Sequence, residues 1–285
     1  MQIEPLDPGY VAELVAAAID EDRATDDVTT LATVPEGLQG RAVFVAKQAG
    51  VAAGLGIVHA VFRDLSLVVR FERRVEEGEP FAAGAELAIV EAPVQALLQG
   101  ERVALNFLQR LCATATLTRQ FVDAIAGTRA VILDTRKTTP GLRDAEKYAV
   151  RCGGGSNHRR DLASMAMLKD NHLAAIARSG GSIADAVTAV REFSPGIAVE
   201  VEIDGLDQLE AALAAAPEWI LLDNMPVDTT REAVVRTAGR AKLEASGGVN
   251  LSNVRAIAET GVDAISVGAL THSAGSLDIS MELTF

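Results

Sequence analysis

The sequence predicts an α/β protein whose larger part is a (β/α) barrel, and three observations carry that expectation. From Ala130 onward, short apolar runs alternate with segments of helical periodicity. The runs recur roughly 20 to 35 residues apart, a spacing that leaves room for a crossover helix and so implies parallel strands. Nearly every run ends in a chargeable residue or a glycine, as the strands of a barrel do where they feed an active site.

The six runs are Ala130–Leu133, Met165–Leu168, Ala198–Val201, Trp219–Leu222, Lys242–Ala245 and Ala264–Val267. Helices are expected at Ser182–Phe193, Leu206–Ala216, Thr229–Ala238 and Ser252–Glu259. Six parallel strands favour a barrel over an open sheet, although the pattern alone does not close the ring.

The N-terminal part has a different rhythm. Residues 9–23 place Val11, Leu14, Val15, Ala18 and Ile19 on one helical face. Asp27-Val28-Thr29-Thr30 suggests a turn or a helix cap. Between residues 41 and 91, strand-like runs (Arg41–Ala46, Leu67–Phe71) are separated by Gly50, Gly54, Gly56, Gly78 and Gly84. The spacing from Gly50 to Gly56 does not match GxGxxG, so backbone turns are expected there. Residues 94–125 read as helical, in one helix or two.

Composition removes several function classes. The 285 residues are 49% hydrophobic and 23% charged, as in a globular protein. A net charge of -13 argues against a broad nucleic-acid surface, and 4% aromatics against a base-stacking platform. Cys112 and Cys152 are too few for a disulfide framework or a zinc site and are expected to be packed thiols. His59 is expected to be structural. With no signal-peptide pattern and no membrane-length apolar segment, a cytoplasmic protein is expected.

Against this acidic background, Arg136, Lys137, His158, Arg159 and Lys169 cluster within a short stretch of chain. Guanidinium forks and ammonium groups converging on one pocket suit a small ligand with two or more negative groups. Asn157-His158-Arg159 follows three glycines that permit close backbone approach. Ser246-Gly247-Gly248 after the fifth run, with Gly268 and His272 after the sixth, suggests a phosphate cradle. Glu202 and Asp223 end consecutive strands and offer oxygen ligands for Mg²⁺. Glu200 shares a face with Glu202 by the period of two and stays open as an alternative. So does a purely structural pairing of these acids with lysines.

The stretches Asp134-Thr-Arg-Lys-Thr-Thr-Pro-Gly-Leu-Arg143, Gly153-Gly-Gly-Ser-Asn-His-Arg159, Leu168-Lys-Asp-Asn-His172, Val199-Glu-Val-Glu202, Leu222-Asp-Asn224, Glu244-Ala-Ser-Gly-Gly248 and Val267-Gly-Ala-Leu-Thr-His272 resemble the quinolinate phosphoribosyltransferase (nicotinate-nucleotide pyrophosphorylase, carboxylating) family. So do Glu101-Arg102 and Leu105-Asn-Phe-Leu108. The resemblance covers nearly the whole chain, in order.

It implies an irregular TIM-like (β/α) barrel, residues 111–272, packed against an N-terminal α/β sandwich, residues 1–110 with 273–285. It implies conversion of quinolinate and phosphoribosyl pyrophosphate to nicotinate mononucleotide, pyrophosphate and CO₂ in NAD biosynthesis, with Mg²⁺. Arg136, His158, Arg159 and Lys169 would bind quinolinate, joined by Arg102 across a homodimer interface. Lys137, Glu202 and Asp223 would serve ribose, pyrophosphate and metal, and Ser246, Gly247, Gly248, Gly268 and His272 the phosphate. Lys137, Lys169, Glu202 and Asp223 would form the catalytic set, with Lys169 a candidate proton donor after decarboxylation.

Three departures stand out: Arg160-Asp161-Leu162 where Leu-Gly-Leu is usual, Asp26 in place of a glycine, and Cys112 in place of a serine. Nicotinate phosphoribosyltransferase and a molybdenum-transport-associated paralogue share the outline, and a catalytically silent phosphate-binding regulator is the reading from another class.

Overall fold

The computed structural model describes residues 3–285. The chain divides into two compact units: residues up to 119 with 138–154 and 270–285, and residues 120–137 with 155–269.

In the first unit, helix α1 (Pro8–Asp22) starts where Asp7 accepts the Tyr10 amide and Pro8 presets the first turn. Helix α2 (Val28–Thr33) starts where the Asp27 carboxylate accepts the amides of Thr29 and Thr30. Strand β1 (Gln39–Ala46), the short β2 (Gly50–Val51), helix α3 (Leu55–Leu65), β3 (Arg70–Arg73), β4 (Pro80–Phe81), β5 (Glu86–Pro93) and helix α4 (Val94–Ala124) follow. The last strand of the chain, β12 (Ile279–Thr284), pairs with β1, giving an antiparallel sheet in the order β12-β1-β5-β3. Its core is built on Phe44, Leu55, Phe62, Leu97, Leu108 and Leu111. Burial of each such side chain stabilises by roughly 1.5–3 kcal/mol.

In the second unit, six parallel strands run in the order β6-β11-β10-β9-β8-β7. They are β6 (Val131–Leu133), β7 (Ala166–Leu168), β8 (Val199–Ile203), β9 (Trp219–Asp223), β10 (Lys242–Ser246) and β11 (Ala264–Ser266). Helices α6 (Asp170–Arg178), α7 (Ile183–Phe193), α8 (Leu209–Ala214), α9 (Val227–Thr237) and α10 (Val254–Ala258) make the crossovers. This is the sheet of a TIM-like barrel whose ladder is open between β6 and β7; a single bridge joins Leu133 to Ser156 beside the gap. Alternation along the strands sorts the residues. Val199, Val201, Ile203, Ile220, Leu222, Leu243 and Ala245 are buried on one face. Glu200, Glu202, Trp219, Leu221, Asp223, Glu244 and Ser246 share the other.

The six expected barrel strands all form, with ends shifted by a residue or two. Several expectations are corrected. Residues 94–124 make one helix; Gly100 sits where a Cβ would lie 2.8 Å from Phe62, so the glycine serves packing and does not break the helix. The glycines at 50–56 lead into α3: Gly54, at φ 100°, is its N-cap. The strand expected at 67–71 begins at Arg70, leaving Leu67 and Val68 exposed.

Residues 111–119, 138–154 and 270–272 belong with the first unit. Part of the reason is a buried charge group. Helix α5 (Arg143–Cys152) carries Glu146, fully buried, which accepts from Arg110 at 2.9 Å, from the Thr139 hydroxyl at 2.8 Å and from the Thr139 amide at 3.0 Å. Arg110 also donates to the Thr271 carbonyl. Cys112 and Cys152 are buried free thiols, and His59 stacks on Phe71.

Candidate active site at the carboxyl ends of the barrel strands

The inward residues at the strand ends line a cavity of about 640 Å³. It gathers Arg136, Lys137, His158, Arg159, Lys169, Glu202, Asp223, Ser246, Gly247 and Gly248, all expected from the sequence. Thr135, Met167, Leu221, Asn224, Glu244 and Ser266 complete the wall. Gly268, Arg102 and His272 are not in it. Arg102 is exposed on α4 in the first unit, and His272 is exposed beside Ser273.

Each side chain is held for a local reason. Asp134, fully buried at the end of β6, accepts from Asn157 Nδ2 at 2.5 Å and from the His158 amide at 2.9 Å. This ties the loop after Ser156 to the strand that leads into Arg136. Arg159 donates from Nη1 to the Met165 carbonyl at 2.9 Å and reaches Met167 Sδ with Nη2. Burial, and then the neighbouring Arg136, push the Arg159 guanidinium below its usual range. Arg136 Nε is buried and has no partner among the described residues. Two like charges side by side, one with an unsatisfied buried donor, call for an anion.

Lys169 is the N-cap of α6, where His172 Nδ1 accepts its amide; His172 is thereby used in capping. The Lys169 ammonium donates to Glu202. Asn224 adopts the left-handed conformation that asparagine tolerates, φ 52°, and its amide side chain donates to Asp223 at 2.9 Å. Gly247 has φ 91°, and a Cβ there would strike the Asn224 side chain, so no other residue fits. Gly248, at φ 61°, has open space beside it.

His158 is held by protein at both ring nitrogens. Its side chain is 8% exposed. Nδ1 accepts the Arg159 amide at 2.6 Å. Nε2 lies 3.1 Å from Glu244 Oε2 and 3.2 Å from Glu200 Oε2. Glu244 Oε2 takes the bond. Glu244 Oε1 and both Glu200 oxygens stay buried without a hydrogen-bond partner among the described residues. Burial would lower His158, but bonding and charge from Glu200 and Glu244 outweigh it and raise the ring to about 10. Burial raises Glu200 to about 7, against the pull of His158. The cluster as a unit retains a proton that its members would release singly. The Arg159 amide donates to Nδ1, so the ring hydrogen on Nε2 is the one that faces the two carboxylates. The same tautomer leaves Nε2 no lone pair for a metal ion, although the three groups lie within 4.8 Å of one another.

Below this layer is a second cavity of about 430 Å³, lined by the strand beginnings Val131, Trp219 and Lys242 and again by His158, Arg159 and Glu244. Lys242 Nζ stands 5.1 Å over the Trp219 ring. Sequence reasoning missed Glu244 and Asp134 as site residues. The period of two places Glu244 on the face of Ser246, which is the signal that could have found it.

The quinolinate phosphoribosyl transferase N-terminal and C-terminal domain models match residues 27–112 and 114–282. The chain belongs to the quinolinate phosphoribosyltransferase family. It is 46% identical to nicotinate-nucleotide pyrophosphorylase (carboxylating) of Mycobacterium leprae, over 95% of this chain and 96% of that protein. It is 44% identical to the probable enzyme of the same name from Bacillus subtilis, over 93% and 90%. The solved structure of NadC from Streptococcus pyogenes superposes with a TM-score of 0.94 at 39% identity, covering 99% of each chain. Human nicotinic acid phosphoribosyltransferase, at 14% identity and a TM-score of 0.60 over 99% of this chain and 74% of its own, shares the fold alone. No helix among the described residues of this family member is long and apolar enough to cross a membrane.

Proposed function

We infer that the barrel cavity is where this chain carries out its family's reaction: quinolinate and phosphoribosyl pyrophosphate give nicotinate mononucleotide, pyrophosphate and CO₂, a step of NAD biosynthesis. The observation that carries the assignment to this cavity is the pair Arg136 and Arg159, like charges side by side with a buried unsatisfied N–H, opposite a loop whose backbone only glycine can form. A dicarboxylate satisfies the first and a phosphate the second.

In this reading Arg136 and Arg159 orient the ring, and Lys169 meets a carboxylate from the rim. The Ser246–Gly248 backbone holds the 5′-phosphate. Lys137 faces the pyrophosphate. Glu202 and Asp223 present carboxylate oxygens to the cavity, a donor set that suits Mg²⁺. When bound, the metal neutralises charge on the departing pyrophosphate. Breaking the bond to pyrophosphate leaves a cation-like ribose carbon, and the ring nitrogen supplies the electron pair of the new bond. Its positive charge then stabilises the carbanion left on the adjacent ring carbon when the carboxylate departs as CO₂, and that carbon takes a proton from the Lys169 ammonium. We place Arg102 in a partner's site across a homodimer interface, His272 and Gly268 near the phosphate once substrate is bound, and the enzyme in the cytoplasm. Release of CO₂ and nicotinate mononucleotide is the test, with nicotinate run in parallel. Turnover of quinolinate alone is expected. Equal turnover of nicotinate would overturn the dicarboxylate assignment.

A further inference from the structure

We propose that Glu244 is a positioning residue of the ring site, acting through His158 on Arg159. The proposal rests on the assignment of Arg159 to the substrate's carboxylates.

The chain of contacts is short and has a direction. Glu244 projects from β10 into the barrel and its Oε2 accepts from His158 Nε2 at 3.1 Å. That bond fixes the tautomer, because a ring whose Nε2 carries hydrogen has a lone pair on Nδ1. The Nδ1 lone pair accepts the Arg159 amide at 2.6 Å. The Arg159 backbone is thus held from inside the barrel, while Nη1 and Nη2 are held from the side by Met165 and Met167. Neither His158 nitrogen is left to bond a substrate carboxylate. The role of His158 in ring binding is therefore to fix Arg159, and Glu244 is what fixes His158.

Glu200 faces the same nitrogen at 3.2 Å but makes no hydrogen bond, and it is fully buried. It cannot replace Glu244 without the imidazole turning. If Glu244 is lost, the ring swings toward Glu200, Nδ1 leaves the Arg159 amide, and the Arg159 backbone loses that anchor. Glutamine at 244 should behave differently. Its carbonyl still accepts from Nε2, its N–H₂ can donate to an unsatisfied Glu200 oxygen, and one of two like charges disappears.

The experiment compares Glu244→Leu, Glu244→Gln and Arg159→Gln, measuring KM for quinolinate, KM for phosphoribosyl pyrophosphate, kcat and melting temperature. Glu244→Leu should raise KM for quinolinate about tenfold and leave the other KM within about twofold. Glu244→Gln should hold KM for quinolinate within about threefold and melt higher than the parent. A general structural role would lower stability in both variants and move both KM values together; that result overturns the proposal, as does a glutamine variant no better than leucine. If Glu244→Leu does not fold, the glutamine variant decides alone: a raised KM for quinolinate or a lowered melting temperature overturns the proposal. Arg159→Gln separates this from the reading beneath it. If that substitution leaves KM for quinolinate unchanged, the assignment of the ring site fails; if it raises KM while Glu244→Leu does not, only the role of Glu244 fails.

Discussion

Two buried charge groups, one in each unit, show opposite designs. In the first unit, both Glu146 oxygens are bonded, to Arg110 and to the Thr139 hydroxyl and amide, so the group joins α4, α5 and the loop between residues 138 and 142. In the barrel, His158 brings one N–H to two carboxylates, and three of their four oxygens are left over. A saturated group resists change from any side. An unsaturated one has its orientation decided by a single bond. On the function proposed above, the difference separates charges kept for folding from charges kept for substrate, and the cations repeat it: Arg110 is matched within the protein, whereas Arg136 Nε has no partner among the described residues.

The sharpest way to break the contrast is to remove one partner from each side. Glu146→Leu leaves a half-buried guanidinium without its carboxylate and should cost about 3 kcal/mol in urea unfolding, without changing KM for quinolinate in whatever folded fraction remains. A loss below about 1 kcal/mol would mean the group is ornamental. Arg136→Gln should do the reverse. It should lower kcat/KM for quinolinate about 100-fold, the worth of one or two charged hydrogen bonds, with stability unchanged or improved. Gly247→Ala combines a left-handed backbone with a clash on Asn224 and should raise KM for phosphoribosyl pyrophosphate about tenfold; an unchanged value would remove this loop from the phosphate site.

The smallest effect is in pH dependence. His158 and Glu200 both have folded values above their unfolded ones, so the cluster's proton contributes stability that is present below the unfolded values and lost as pH rises. Melting temperature should therefore fall progressively through this cluster, from about pH 4.5 to 7 through Glu200 and from about pH 6.5 to 10 through His158. Glu244→Gln should flatten that fall. A slope equal to the parent's would show that other groups set it.

The barrel was legible because its strands are short, apolar and evenly spaced, and because each ends in chemistry. Helix α5 was not, because Arg-Asp-Ala-Glu-Lys has no apolar period, yet Glu146 and Lys147 are among its buried residues. Helix α6 has no fully buried residue, and Leu173 with Ile176 makes too short an apolar pattern to announce it. Helix α3 was hidden by glycines that suggested turns; one of them is the cap that starts it. Most of the cavity wall was legible residue by residue, since charged side chains at strand ends have few other uses. The layer beneath was not. Glu200 was visible as an alternative to Glu202, but that a histidine from a distant loop would meet it and Glu244 depends on a gap between β6 and β7 that no local pattern announces.

Trp219, the chain's only tryptophan, sits with Lys242 at the beginning of its strand, against the lower cavity that shares His158 and Glu244 with the active site. The enzyme thus carries a single built-in fluorophore on the same cavity as His158 and Glu244, the group proposed to orient its ring site. Emission from that indole can be followed without labels while quinolinate binds above it, and a spectral shift on binding would register movement of the polar layer in real time.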